Sequence, residues 1–324
     1  MTARRFACLP FFCALVLVLA GCSGSKTNTP EDQAAALKPF IGRWDLTVKS
    51  PSRELPTWIE VSEDQGKPKV VMVGVTDHAT PLKQVEMKDQ ELDFLSPKAE
   101  EGYQQDTLFK AKVSGDGLAG TATLPDGTAW EWTANRAPAL PAPATPKWGK
   151  PVHLFDGKDF KGWHFTNPDH ATNWKVEHGL MVVRGGGSEI VTDSKFNDFK
   201  LHVEFNLAAK SNSGVFLRGR YEVQVETDSV AEPPSHHTGG VYGFLDPVPE
   251  QPRVADKWQT FDITLLGRNV TVVHNGVTVI DNKEIPGITG GALDSHEDQP
   301  GPIYLQGSES GKVCYRNIVL TPAE

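Results

Sequence analysis

Residues 137–146 read Ala-Pro-Ala-Leu-Pro-Ala-Pro-Ala-Thr-Pro, four prolines in ten positions. Each proline fixes φ and removes a backbone donor, so this segment continues neither a helix nor an interior strand and stays extended and semi-rigid. A chain of 324 residues interrupted there builds its core twice, once on either side. On both sides the segments between turns are short. They alternate apolar and polar residues with a period of two and stop at Gly, Pro or Asn-Gly, with almost no repeat near 3.6 residues. With 30 Gly and 24 Pro, the chain reads as all-β.

The N-terminal unit is expected over residues 37–136, as strands near 40–48, 58–61, 69–75, 91–95, 107–113, 120–124 and 128–132, the last two joined by Asp126-Gly127. Seven short strands predict a small antiparallel barrel or sandwich. Gly42-Arg43-Trp44 on the first strand resembles the opening of lipocalin-like barrels. No His, Cys or paired carboxylates cluster here, so the unit is read as a binding or spacer domain, with His78 a solvated loop residue. Residues 137–150 form the linker and 151–324 the second unit.

Ahead of both units, Arg4 and Arg5 precede 15 largely apolar residues, too few to span a bilayer but fitting the core of an export signal. That run ends in Leu19-Ala20-Gly21-Cys22, which resembles the lipobox of bacterial lipoproteins. The resemblance implies removal of residues 1–21, a lipid on Cys22 and residence in the cell envelope, with Ser23 suggesting the outer membrane. Residues 22–36 then read as a flexible tether. The net charge is −9, and the signal removes only cations, so the lipid and not the protein surface would hold the membrane. Without a basic stripe, nucleic acid is excluded as a partner. Of the cysteines outside the signal and the lipid site only Cys314 remains, read as a small buried hydrophobe.

In the second unit, strands are expected over 174–183 with a His178-Gly179 turn, 199–207, 261–266, 270–274, 277–280 after Asn275-Gly276, 303–306 and 313–319. Residues 218–228 carry the densest polar alternation. Tyr221, Val223 and Val225 take one face, while Arg218, Arg220, Glu222, Gln224, Glu226 and Asp228 take the other. That polar face is either a solvated sheet surface laced with ion pairs or the floor of a site.

The words of this unit are specific in combination. Leu154-Phe155-Asp156-Gly157 is followed by Gly162-Trp163, then by Trp174 with Val176-Glu177 and Gly179-Leu180. Next come Asn212-Ser213-Gly214-Val215-Phe216, Tyr221-Glu222-Val223-Gln224-Val225, Gly239-Gly240-Val241-Tyr242-Gly243, Trp258-Gln259-Thr260, Gly301-Pro302-Ile303-Tyr304-Leu305-Gln306 and Arg316-Asn317-Ile318. In this order they resemble the bacterial 3-keto-disaccharide hydrolase domain, over about residues 151–321. The resemblance implies a concanavalin A-like two-sheet jelly roll and a saccharide oxidised at C3 as substrate. The family's Glu-x-Gln-x-x-Asp-Ser pattern is stretched by one residue here, so either Asp228 or Glu226 stands for its Asp.

A C3 carbonyl acidifies the C2 proton, so such chemistry needs a base, a donor or cation for the enolate and an acid at the leaving group. The residues offer Glu222 or Glu226 as base, Arg218 as the cation and Gln224, Asp228, Asn212 and Tyr242 as saccharide contacts. His236 or His237, in a loop bounded by prolines, would act as acid or ligand because imidazole titrates near neutrality. No cofactor is called for, although a divalent metal would suit the enolate, and the acidic loop around Asp294, His296, Glu297 and Asp298 offers calcium-type oxygen ligands. The alternative is a lectin-like module that binds glycan without turning it over. Trp174 and Trp258 are read as core, and Arg316 as a brace to a carboxylate.

Overall fold

Period-two alternation becomes 22 strands in a computed structural model that describes residues 30–324 apart from 77, 99–104, 169–172, 187, 228–230 and 308–310. Cys22, the export segment and Asp228 lie outside the described residues. The end of the segment read as a tether is helical: α1 (Pro30–Leu37) starts at a proline, which suits a first turn, and continues through three alanines. Its last residue, Leu37, is buried in the first domain's core.

The first domain is a single antiparallel meander of β1 (Gly42–Lys49), β2 (Glu54–Asp64), β3 (Lys67–Val73), β4 (Ala79–Pro81), β5 (Val85–Lys88), β6 (Glu91–Ser96), β7 (Thr107–Ser114), β8 (Gly117–Thr123) and β9 (Ala129–Arg136). β1 pairs with both β2 and β9, which rolls the sheet and leaves β4 and β5 at its ends. The sequence reading lacked β4 and β5, which are short and have no clear apolar alternation. Trp44, Trp132, Phe94 and Phe109 fill the interior. Along β2, Leu55, Thr57 and Ile59 face that interior, while Pro56 and Trp58 face the second domain.

The second domain comprises β10 (Val152–His153), β11 (Trp163–Phe165), β12 (Trp174–Glu177), β13 (Leu180–Arg184), β14 (Ile190–Thr192), β15 (Phe199–Leu207), β16 (Asn212–Leu217), β17 (Tyr221–Glu226), β18 (Gln259–Leu266), β19 (Asn269–His274), β20 (Val277–Glu284), β21 (Tyr304–Leu305) and β22 (Lys312–Pro322). Two antiparallel sheets form a jelly-roll sandwich. The larger runs β12-β13-β22-β15-β18-β19-β20, with β10 also on β22, and the smaller runs β11-β14-β21-β16-β17. Leu201, Val203 and Phe205 of the larger sheet meet Val215, Val223 and Val225 of the smaller one. The positive φ angles that tight turns require fall on His178-Gly179 and Asn275-Gly276. Cys314 is buried, and burial pushes its thiol up from the usual value. Trp174 is buried, whereas Trp258 is half-buried beneath the Arg316 guanidinium, which is 3.8 Å from its ring and also bonds Glu204 at 2.7 Å.

The two domains share a packed interface. Trp58, 0% exposed, joins the second domain's core, edge-on to Phe244 at 5.5 Å and against Gly287. Gly291 N–H donates to the Val75 carbonyl at 2.9 Å, and Arg43 pairs with Glu284 at 2.7 Å. A buried polar knot sits between them. The Tyr221 hydroxyl donates to Glu297 at 2.6 Å, Arg268 lies 3.1 Å from the same carboxylate, and Asp45 of β1 hydrogen-bonds it. Burial, then the charge of Glu297, pushes the Asp45 carboxyl up to about 9, so Asp45 keeps its proton at neutral pH and shares it with Glu297.

Candidate active site in a cleft between the domains

One row of residues crosses the smaller sheet by register: His164 beside Val191, Val191 beside Tyr304, Tyr304 beside Phe216, Phe216 beside Glu222. Because Val223 points into the core, its neighbours Glu222 and Gln224 point away from it, toward the first domain. The edge of β17 is covered by the chain that follows. Gln224 N–H donates to Gly240 O, Gly239 N–H to Gln224 O and Tyr242 N–H to Glu222 O, at 2.9–3.0 Å. Thr289 Oγ1 accepts from Glu222 N–H at 3.0 Å. Glu222 is therefore held on both flanks, and its carboxyl lies over Gly214, where any Cβ would overlap it.

Above this row opens a cleft of about 570 Å³, a volume within the range of small-ligand sites. The second domain lines it with Thr166, Glu189, Asn212, Glu222, Gln224, Tyr242, Tyr304, Gln306 and the strip 290–293. The first domain contributes Arg53, Glu54, Pro56, Val75 and Thr76. Glu222 is 4% exposed. Tyr304 stacks on Phe216 at 4.1 Å, and burial first, then the charges of Glu189 and Glu222, raises its hydroxyl well above the usual value, so it stays a neutral donor. Glu189 accepts from Thr166 Oγ1 at 2.8 Å. Asn212 Oδ1 and Gln306 Oε1 are buried and have no partner in the described residues. Buried acceptors left open in a cleft are places for the hydroxyls of a ligand.

Several expected site residues lie elsewhere. Arg218 is not in the cleft: β16 stops at Leu217, and the reversal through Arg218 and Gly219, at φ 54° and 67°, breaks the alternation assumed for 218–228. Its guanidinium turns to the carbonyls of Glu297 and Gln299, and Arg220 pairs with Asp294 at 2.7 Å. Glu226 shares the face of Glu222 but lies past the cleft, paired with Arg253 at 3.0 Å, which removes it as the base. His237 pairs with Glu250 at 2.8 Å and does not line the cleft. His236 stands behind the wall, 3.2 Å from Glu232 and stacked on Tyr242 at 4.3 Å. His78, expected in solvent, packs edge-on against His236 at 4.9 Å. The loop read for calcium spends Asp294 on Arg220 and Glu297 on Arg268. Among the described residues, no three His, Cys, Asp or Glu side chains are grouped to hold a metal ion.

The structure brings Glu222, Gln224, Asn212 and Tyr242 together and adds residues that sequence reasoning missed. Tyr304 and Gln306 sit in the word 301–306, which was in view without a role attached. Glu189 and Arg53 carried no signal, since each is one charged residue beside a turn.

A carboxylate and open amide acceptors sunk in a cleft on one sheet of a β-sandwich make a site suited to a ligand with several hydroxyls. The chain belongs to the 3-keto-alpha-glucoside-1,2-lyase-like domain family, whose profile matches residues 150–321. Over 94 residues it is 28% identical to the 3-keto-disaccharide hydrolase of Bacteroides thetaiotaomicron, covering 25% of this chain and 32% of that protein. The chain thus spans about a third of the length of this curated relative. A Parabacteroides distasonis protein provisionally described as a glycosyl hydrolase superposes with a TM-score of 0.46 at 28% identity, over 57% of this chain and 93% of its own. A β-1,3-1,4-glucanase from a mouse hindgut metagenome gives a TM-score of 0.35 at 10% identity, over 54% and 99%. The first domain lies outside the family match.

Proposed function

We propose that the chain cleaves 3-keto-glycosides in the cleft between its domains, with Glu222 as general base. The observation that carries this reading is the Glu222 carboxyl, almost wholly buried yet lining an open cleft beside Gln224 and Tyr304. Glu222 takes the proton from C2 of the oxidised sugar, and the C–H pair becomes the C2–C3 double bond of an enolate whose charge rests on the C3 oxygen. Collapse of the enolate moves that pair to C1–C2 and expels the aglycone oxygen from C1, which leaves with a proton. Water then adds its oxygen to C1 and a proton returns to C2, so one water is consumed and the C3 ketone is regenerated. The Tyr304 hydroxyl, held neutral, is a donor for a sugar oxygen, and Asn212 Oδ1 and Gln306 Oε1 accept from sugar hydroxyls.

Incubation of the protein with 3-keto-disaccharides of several linkages, with and without divalent cations, tests this by release of free sugar. Glu222→Gln should lower turnover by about 10²–10⁴-fold, the range of a lost general base. Release undiminished in that variant, or none from the wild type with any linkage, defeats the proposal. Export and lipid attachment at Cys22 belong to the same reading, supported by the tetrapeptide 19–22. A Cys22→Ser chain that still partitions with membranes and takes up labelled fatty acid would refute the anchor.

A further inference from the structure

The elimination step gains from a cation opposite Glu222, and the arginine that the strand seemed to supply, Arg218, is committed to carbonyls outside the cleft. Of the described residues that line the cleft, only one is cationic: Arg53, from the first domain, outside the segment that defines the family. Arg53 is exposed, and its guanidinium makes no hydrogen bond and no ion pair with the described residues. Glu54, Glu189 and Glu222 share the same walls. An arginine left unpaired in a cleft with three carboxylates has its donors available for a ligand, and the planar fork of its N–H groups suits an oxygen that carries charge.

The backbone that presents Arg53 is rigid. Residues 50–53 join β1 to β2, and Pro51 fixes one φ of the turn. The turn is closed three ways: Ser50 N–H donates to Arg53 O at 3.1 Å, Ser50 Oγ donates to the same carbonyl at 2.6 Å, and Arg53 N–H donates to Ser50 Oγ at 3.2 Å. Five residues along β2, Trp58 is buried in the second domain's core. The hairpin therefore cannot swing away from the cleft unless that core opens. The field of Arg53 reaches the Tyr304 hydroxyl, which is separated from Glu222 only by Phe216 in the row across the sheet.

We infer that the active site is composite, and that Arg53 of the first domain is the catalytic cation that binds the C3 oxygen of the sugar opposite Glu222 and stabilises the enolate. This rests on the 3-keto-glycoside reading above and adds to it a role for a domain that looked like a spacer. No bond forms to Arg53. It neutralises charge that appears on the C3 oxygen when Glu222 takes the C2 proton and disappears when the aglycone leaves.

The test compares full-length wild type, Arg53→Ala and Arg53→Lys on a 3-keto-glucoside with a nitrophenol aglycone, alongside thermal melts and calorimetric binding of the unoxidised disaccharide. Arg53→Ala should lose about 10²–10³-fold in kcat/KM, mostly in kcat, as for a lost oxyanion donor. Its melting temperature should be unchanged. Lysine should restore part of the rate, and guanidinium ions at concentrations far below denaturation should raise kcat of Arg53→Ala saturably without raising that of the wild type. If the wild type turns over and Arg53→Ala stays within twofold of it, or if guanidinium restores nothing, the assignment is wrong while the function stands. If the wild type turns nothing over, the function fails, and Arg53 is then judged by disaccharide binding: an affinity that Arg53→Ala leaves unchanged, or no binding at all, overturns the composite site as well.

Discussion

Replacing Trp58 with alanine should undock the first domain from the cleft. The indole is wholly buried, sits on a first-domain strand and packs in the second domain's core against Phe244 and Gly287. Truncating a buried Trp to Ala costs about 3–5 kcal/mol from lost transfer and the cavity left behind. The cavity would lie at the interface, so most of that cost falls on docking and little on either separate fold. At 1.4 kcal/mol per factor of ten, the undocked population should rise by about 10²–10³-fold. The Gly291 amide reports it, because its acceptor is the Val75 carbonyl across the interface. Hydrogen exchange of the peptide around Gly291 should therefore accelerate by a similar factor in Trp58→Ala, while amides in the centre of β15 keep their protection. Turnover should fall with it, since Arg53 leaves when the hairpin does. Unchanged exchange at Gly291 would refute a docked, composite cleft.

Three further outcomes follow from single contacts. Gly214→Ala puts a Cβ where the Glu222 carboxyl lies, so turnover should drop at least about tenfold at little cost in melting temperature; a fully active variant would show that the carboxyl position is unimportant. His274 is buried, bonded to Gln259 at 2.8 Å, and burial lowers its imidazole from the usual 6.5 to about 4. Its folded form binds the proton less readily than the unfolded chain, so this stability is present above pH 6.5 and lost as pH falls toward 4, on the order of 2–3 kcal/mol. Denaturant midpoints between pH 7 and 4.5 should show that slope reduced in His274→Gln, and an equal slope in both proteins would be evidence against it. Asp45 has the opposite sign, because a carboxyl raised to about 9 holds a proton that the unfolded chain releases. Its contribution is complete below the ordinary 3.8 and lost as pH rises toward 9, so the protection of Gly291, taken relative to the intrinsic base-catalysed rate at each pH, should fall with rising pH in the wild type but not in Asp45→Asn.

Much of this architecture could be read from the chain, because alternation with Gly-rich turns has few solutions other than antiparallel sheets. The face shared by Glu222 and Gln224 follows from Val223 being apolar between them. What misled was the assumption that the alternation began at Arg218. A three-residue reversal through Gly219 uses the same residue types as a strand, and only backbone geometry shows that Arg218 and Arg220 belong to the turn. The second wall of the cleft was invisible for another reason. Arg53 is more than 160 residues from Glu222, and nothing in a single sequence records that Pro56 and Trp58 face outward onto another domain. His236 and His237 drew notice through chemical versatility, yet their partners Glu232 and Glu250 hold them as supports behind the wall.

The central claim is that Glu222 removes the C2 proton of a 3-keto-glycoside, and proton NMR in D₂O observes that proton directly. The wild type should release sugar whose C2 position carries deuterium, and Glu222→Gln should suppress release and C2 exchange together by about 10²–10⁴-fold. Sugar released with its original C2 proton retained would show cleavage without enolisation, and the proposed chemistry would be wrong.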